Sequence, residues 1–134
     1  VIVLDTHTLL WWANGDSTQL SPAAQQAIEA EMQSEGGQIM VSSISAWELA
    51  MLVARERVAL AIDVEVWLAT VGQIEQVTFV PMDNAIAVKS TLLPGEFHKD
   101  PADRIIVATA RQMSAPLVTA DEKIRAYPHV RTVW

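Results

Sequence analysis

Cysteine is absent from the chain, which rules out disulfides and thiolate metal sites and fits a reducing, cytoplasmic setting. Positive charge is scarce. Against 16 Asp and Glu there are 9 Lys and Arg, a net charge of −7. A broad electrostatic footprint for nucleic acid is thereby excluded, and any contact with phosphates has to be local. Long apolar runs are missing too: none approaches the roughly 18 to 20 residues that span a membrane. No basic segment leading into a hydrophobic one opens the chain, so no secretory signal is expected. What is present in quantity is apolar side chain, 51% of 134 residues, enough to bury a sizeable core in one domain.

Val1–Leu4 is an apolar, mostly β-branched run without alternation, as in a strand buried on both faces. Gln38–Ser42, Val77–Pro81, Pro116–Thr119 and Arg131–Trp134 read as further strands. Helices are predicted between them. A short one covers Leu9–Ala13, a second is opened by Ser21-Pro22 and broken by Gly36-Gly37, and a third is capped by Ser45 and runs to about Glu56. Val64–Val71, Asp83 to about Leu92, Ala102–Met113 and Asp121–Ala126 follow. Strands separated by helices over residues 1–134 predict one α/β domain of three layers, a mostly parallel five-stranded sheet with helices on both faces.

The first strand ends on an acid. In VIVLDTHTLLWW, four apolar residues run straight into Asp5, and open parallel sheets bind ligands beyond the carboxyl ends of their strands. Asp121, in LVTADEK, lies two residues after the fourth strand. Glu48 falls in the first turn of the helix after the second strand, and Asp103 opens the helix that leads into the fourth. Each acid has an architectural explanation taken singly. Ser45-Ala46-Trp47-Glu48 is a capping box, and Asp100-Pro101-Ala102-Asp103 supplies a cap, a proline at the first helical position and an acid favoured by the helix dipole. Asp5 and Asp121 suit the caps of the helices that follow them.

Together the acids resist that explanation. Glu48 is the sole charge in AWELAMLVA, a segment apolar nearly all round and hence expected to be buried. Two carboxylates about 4 Å apart repel by roughly 4 kcal/mol at an effective dielectric of about 20. Several gathered at one place must protonate or bind a cation. Oxygen ligands without cysteine favour a hard one, Mg2+ or Mn2+, and an ion so held activates water and stabilises a phosphoryl oxygen.

The segments VIVLDTHTLLWW, SSISAWELA, HKDPADRIIVATA and LVTADEKI resemble, in order and spacing, the motifs of PIN-domain ribonucleases. The likeness is closest to the VapC-type toxins of bacterial toxin–antitoxin pairs and spans essentially the whole chain. It implies a PIN-like α/β/α domain, Mg2+- or Mn2+-dependent endonucleolytic cleavage of RNA such as tRNA or rRNA, a homodimer, and inhibition by a small antitoxin. It also implies that Asp5, Glu48, Asp103 and Asp121 are the catalytic acids, with Asp5, Asp103 and Asp121 on the metal. Thr6 and Thr119 match positions where the family often carries a hydroxyl beside the metal. KDPADR offers two aspartates; Asp103 matches the family's acid, directly preceding the helix pattern that RIIVATA continues, and Asp100 is left as the cap. Ala102 stands where this branch often carries an aromatic residue, a departure that concerns a rim contact and not the acids.

Lys99, Arg104, Lys123 and Arg125 flank the acidic motifs. They are candidates for a small basic rim that holds RNA phosphates, ordinary solvated charges being the alternative. His7 and His98 have no Ser or Cys nucleophile pattern beside them and are expected to be satisfied or solvent-facing. Trp11, Trp12 and Trp47 are expected in the core, with one or two lining a dimer or antitoxin groove. The antitoxin is expected to lay an amphipathic helix near Trp11 and Trp12 and to direct a basic residue toward Asp5 and Asp103. An acid-cluster phosphohydrolase is the competing enzyme class, but dehalogenase-like phosphatases require a second Asp where this chain has His7. Receiver-like phosphoacceptors require paired acids after the first strand and a Lys after the last, and neither is present. A catalytically silent PIN-like interaction domain is expected to have lost an acid, and all four are here.

Overall fold

The computed structural model describes all 134 residues. β1 (Ile2–Leu4) lies in the middle of the sheet, between β2 (Ile39–Ser42) and β4 (Leu117–Val118). β3 (Val77–Val80) and β5 (Thr132–Val133) take the edges, giving the order β3-β2-β1-β4-β5. Every pairing is parallel, a step beyond the mostly parallel sheet expected.

Burial explains why β1 shows no alternation. Successive residues feed two different cores: Ile2 and Leu4 face one, with Ile39, Val41, Val77 and Val118, whereas Val3 faces the other, with Val80 and Leu117. A strand covered on both faces has no polar side to show. On the first face α1 (Thr6–Ala13), α2 (Pro22–Gln33) and α4 (Val64–Gly72) contribute Leu9, Ile28 and Trp67. On the second, α5 (Asn84–Thr91), α6 (Pro101–Gln112) and α7 (Glu122–Arg125) contribute Ile86, Ile106 and Ile124. The three-layer arrangement is the one expected. No helix is long and apolar enough to cross a membrane.

Two helices start elsewhere than the sequence indicates. α1 begins at Thr6, ahead of Leu9, because Asp5 is its N-cap and accepts the Thr8 amide at 3.0 Å. α3 (Ile44–Ala54) begins at Ile44, so Ser45 lies inside it and the Ser45–Glu48 capping box does not form. The cap position falls to Ser43, whose hydroxyl accepts Met82 N at 3.1 Å, while Ser42 Oγ takes the Ile44 amide at 3.2 Å. Tertiary contacts outrank the local S-x-x-E pattern there. The apolar run of α3 is also less buried than expected: only Ser45 and Leu49 are buried, and Trp47 is 56% exposed rather than in the core. One face of α3 meets the protein, most of its other apolar residues are half-buried, and Trp47 stands out from them.

The chain builds β1, β2 and β3 outward in one direction, then returns to add β4 and β5 on the other side of β1. Such a reversal leaves a crevice beyond the carboxyl ends of the two strands at the switch, here β1 and β4.

Candidate active site

Asp5 leaves the end of β1 directly into that crevice and is 8% exposed. Both of its oxygens are held: Oδ1 by the Thr8 amide and Oδ2 by the Thr119 hydroxyl, which donates to it. Thr119 follows β4 and is fully buried. The same Thr119 oxygen accepts the Asp121 amide at 3.0 Å, so one hydroxyl ties the ends of two neighbouring strands. Asp121 then caps α7, accepting Ile124 N at 3.1 Å.

The other two acids come from helices. Thr6, the first residue of α1, donates its hydroxyl to Glu48 Oε1 at 2.6 Å. The Ser45 hydroxyl lies 2.9 Å from the same Thr6 oxygen, one turn before Glu48 on α3. Asp100 caps α6, accepting the Asp103 amide at 2.9 Å, as assigned from the sequence, and Asp103 lies in the first turn. Asp5, Glu48, Asp103 and Asp121 all line one cavity of about 460 Å3, together with Thr6, His7, Trp11 and Asp100. Thr119 holds two of the acids from beneath.

Crowding shows in the acidities. Burial pushes the Asp103 carboxyl up from 3.8 to about 7, reinforced by the charges of Asp100, Asp121, Glu48 and Asp5. Burial also raises Glu48; the Thr6 hydrogen bond and His7 oppose that rise, while Asp100 and Asp5 add to it. Burial first and neighbouring charge second disfavour the ionised form of both carboxyls, a penalty that a bound cation would offset.

The family model described as PIN domain matches residues 2–130. This chain belongs to the PIN-domain family. Ribonuclease VapC22 of Mycobacterium tuberculosis is 40% identical over 135 residues, covering 99% of this chain and 98% of that protein, so the PIN domain here is of VapC type. Among solved structures, VapBC2 from Rickettsia felis bound to a promoter DNA fragment gives a TM-score of 0.67 at 17% identity, covering 98% and 97% of the two chains. A toxin–antitoxin complex from Klebsiella pneumoniae gives 0.62 at 23%, covering 97% and 95%. At such identities these two bear on the fold alone.

The donor set of this PIN domain fits a hard divalent cation. Its acidic members, Asp5, Glu48, Asp100, Asp103 and Asp121, offer only oxygen, with the His7 imidazole beside them. No three of the acids close into a cage for a bare ion.

The residues proposed for a basic rim part ways. Lys99, Lys123 and Arg125 are exposed, and none lines the cavity. Arg104 is turned back on its own chain: Nε donates to Ser90 O at 2.8 Å, and Nη1 to Phe97 O at 3.1 Å and His98 O at 3.3 Å. Its guanidinium supplies donors that the loop's carbonyls would otherwise lack. Arg104 thus acts as a strap through Nε and Nη1. His7 is solvent-facing as expected, its ring 5.6 Å from that of Trp11. His98 is half-buried, its Nε2 shut off from solvent 3.0 Å from Asp103 Oδ2 without a hydrogen bond. Two participants escaped sequence reasoning. Ser45 had a usable signal, its i, i+3 spacing to Glu48 on one helix face; His98 had none in its spacing.

Proposed function

We propose that this PIN domain, residues 1–134 acting as one unit, is an endoribonuclease toxin that hydrolyses RNA with Mg2+ or Mn2+. The observation that carries this reading is the convergence of Asp5, Glu48, Asp103 and Asp121, from four separate elements, on one cavity at the sheet's switch point. The name of its 40% identical relative, a ribonuclease, agrees with it. Asp5, Asp103 and Asp121 would hold the cation, which when bound supplies charge to a phosphoryl oxygen and acidifies a water.

The chain's own residues do the rest. Thr119 fixes Asp5 Oδ2 and, through the Asp121 amide, sets how far apart those two acids stand. Thr6 holds Glu48 Oε1, which leaves Oε2 to take a proton from the attacking water. Burial raises the Glu48 carboxyl and so makes its ionised form the better base. The water oxygen bonds to phosphorus as the P–O3′ bond breaks, and the electron pair leaves on O3′, which takes up a proton. The products end in 5′-phosphate and 3′-hydroxyl.

Incubating the purified protein with tRNA and with rRNA, in Mg2+, in Mn2+ and in chelator, tests this, with Asp5→Asn alongside. Metal-dependent cleavage lost in the variant is expected. Cyclic 2′,3′-phosphate ends would mean that the RNA's own 2′-hydroxyl attacked, and would overturn the mechanism.

The partner proposed is a small antitoxin with a basic segment. Trp11 joins the acidic cavity to a second hollow of about 420 Å3 lined by Trp12, Leu20, Ile28 and Met32. An amphipathic helix seated in that hollow would bring an Arg or Lys within reach of Asp5 and Asp103, and a guanidinium suits paired carboxylates. The exposed Trp47 on α3 supports a second partner, another copy of the chain.

A further inference from the structure

The loop that carries His98 is fastened more heavily than a connection requires. Besides the two Arg104 bonds to Phe97 O and His98 O, Tyr127 donates its hydroxyl to Pro94 O. The Tyr127 ring, 3% exposed, packs on Phe97 with centroids 4.6 Å apart. Phe97 in turn meets the His98 ring edge-on at 4.5 Å. These contacts place the imidazole against one carboxylate: Nε2 lies 3.0 Å from Asp103 Oδ2. The nitrogen is shut off from solvent, is aimed too obliquely for a full hydrogen bond, and has no other partner. Leaving a buried N–H so poorly served costs about 1–3 kcal/mol, and the straps from Arg104 and Tyr127 sustain it.

We infer that His98 is the positioning residue of the third acid, fixing Asp103 Oδ2 so that the other oxygen is left for the cation. The inference rests on the metal-dependent reading above. Nε2 is not itself the ligand, because it is already set on Asp103 Oδ2. Nor does Nε2 reach substrate, because it sees no solvent. Carboxylates and histidines around metals are commonly oriented by such outer partners, whose loss costs about 10- to 100-fold in metal affinity or activity.

Two near-isosteric variants separate reach from mere packing. The His98→Gln amide extends about as far as Nε2, whereas the His98→Asn amide stops short of Oδ2. Mn2+ binding without RNA, followed by calorimetry and by the spectrum of free Mn2+, should weaken about 10- to 100-fold in His98→Asn. It should return near the wild-type value in His98→Gln. Circular dichroism and the KM for RNA should stay unchanged in both. In an Asp103→Asn background, His98→Asn should weaken binding no further, since the two act through one contact. Equal Mn2+ affinity in wild type and His98→Asn overturns the inference, as does a Gln variant no better than Asn, or loss of fold in both. Wild-type protein that binds no Mn2+ at all would overturn the metal-dependent reading itself.

Discussion

Replacing Asp103 by Asn should make the metal-free protein more stable, with a pH dependence of definite sign. The Asp103 carboxyl is pushed from 3.8 to about 7 in the folded chain. Between those values the folded state holds a proton that the unfolded state has released, so stability falls as pH rises through that window. Below it both states are protonated and nothing is lost; above it the full penalty applies. A displacement of that size would be worth about 4 kcal/mol in a sealed interior. Asp103 instead opens on a cavity with 21% of its side chain exposed, and screening reduces the penalty to roughly 1–2 kcal/mol. Asn never carries the charge. In chelator at pH 8 the variant should therefore melt higher than wild type by about 3–8 °C, and at pH 4 the two should nearly coincide. Scanning calorimetry across pH 4–8 reads this directly. Saturating Mn2+ should reverse the order, since ligand at a hundred times its dissociation constant adds about 2.7 kcal/mol to wild type. A variant no more stable than wild type at pH 8, or as much more stable at pH 4, would refute the attribution to crowded charge.

Asp103→Asn should abolish nearly all RNA cleavage, whereas Asp100→Asn should retain it and in chelator melt no lower than wild type, because Asn caps a helix about as well as Asp and one charge that raises Asp103 is gone; the reverse pattern of activities would show that the wrong aspartate was assigned. Thr119→Val should cost roughly 1–3 kcal/mol, read by thermal melting, because it strips partners from Asp5 Oδ2 and the Asp121 amide. It should also weaken Mn2+ binding, and a variant wild-type in both would dissolve the proposed strut. For the antitoxin, co-purification with the product of the adjacent gene followed by Ala replacement of that partner's basic residues should relieve inhibition of RNA cleavage. Unaltered inhibition and affinity would remove the charge-plug idea.

Much of the fold was legible because it rests on burial and local chemistry. The unalternating run at β1, Ser21-Pro22 opening α2 and Asp100-Pro101 opening α6 each state their structure within a few residues. The four acids were legible because charge at the end of a buried strand, or alone in an apolar helix, is costly and so calls for a reason. What was illegible is set by distant residues. Ser43 and Ser45 look alike as caps, and the choice turns on Met82, which binds Ser43 from the far end of β3. Trp47 reads as core by composition, yet which side of α3 meets the protein is decided by packing. Arg104 reads as a flanking charge, and the carbonyls of Phe97 and His98 that its Nη1 binds are brought to it by the fold. No sequence pattern announces that a loop histidine will be pressed against Asp103.

The bond from Thr119 to Asp5 spans 114 positions of the chain. β1, the middle strand, has one neighbour from residues 39–42 and the other only from residues 117–118. A copy ending before Thr119 lacks, at a stroke, the hydroxyl on its first acid and the whole of its fourth. During synthesis, which proceeds from the N-terminus, Asp5 and Glu48 wait for the other two acids while most of the chain emerges. Their pocket closes near the end, when β4 slots in beside β1. A chain interrupted before Thr119 therefore carries an incomplete site, without Asp121 and with Asp5 Oδ2 unheld, which shortens the interval in which a half-made copy could cut RNA in the cell producing it.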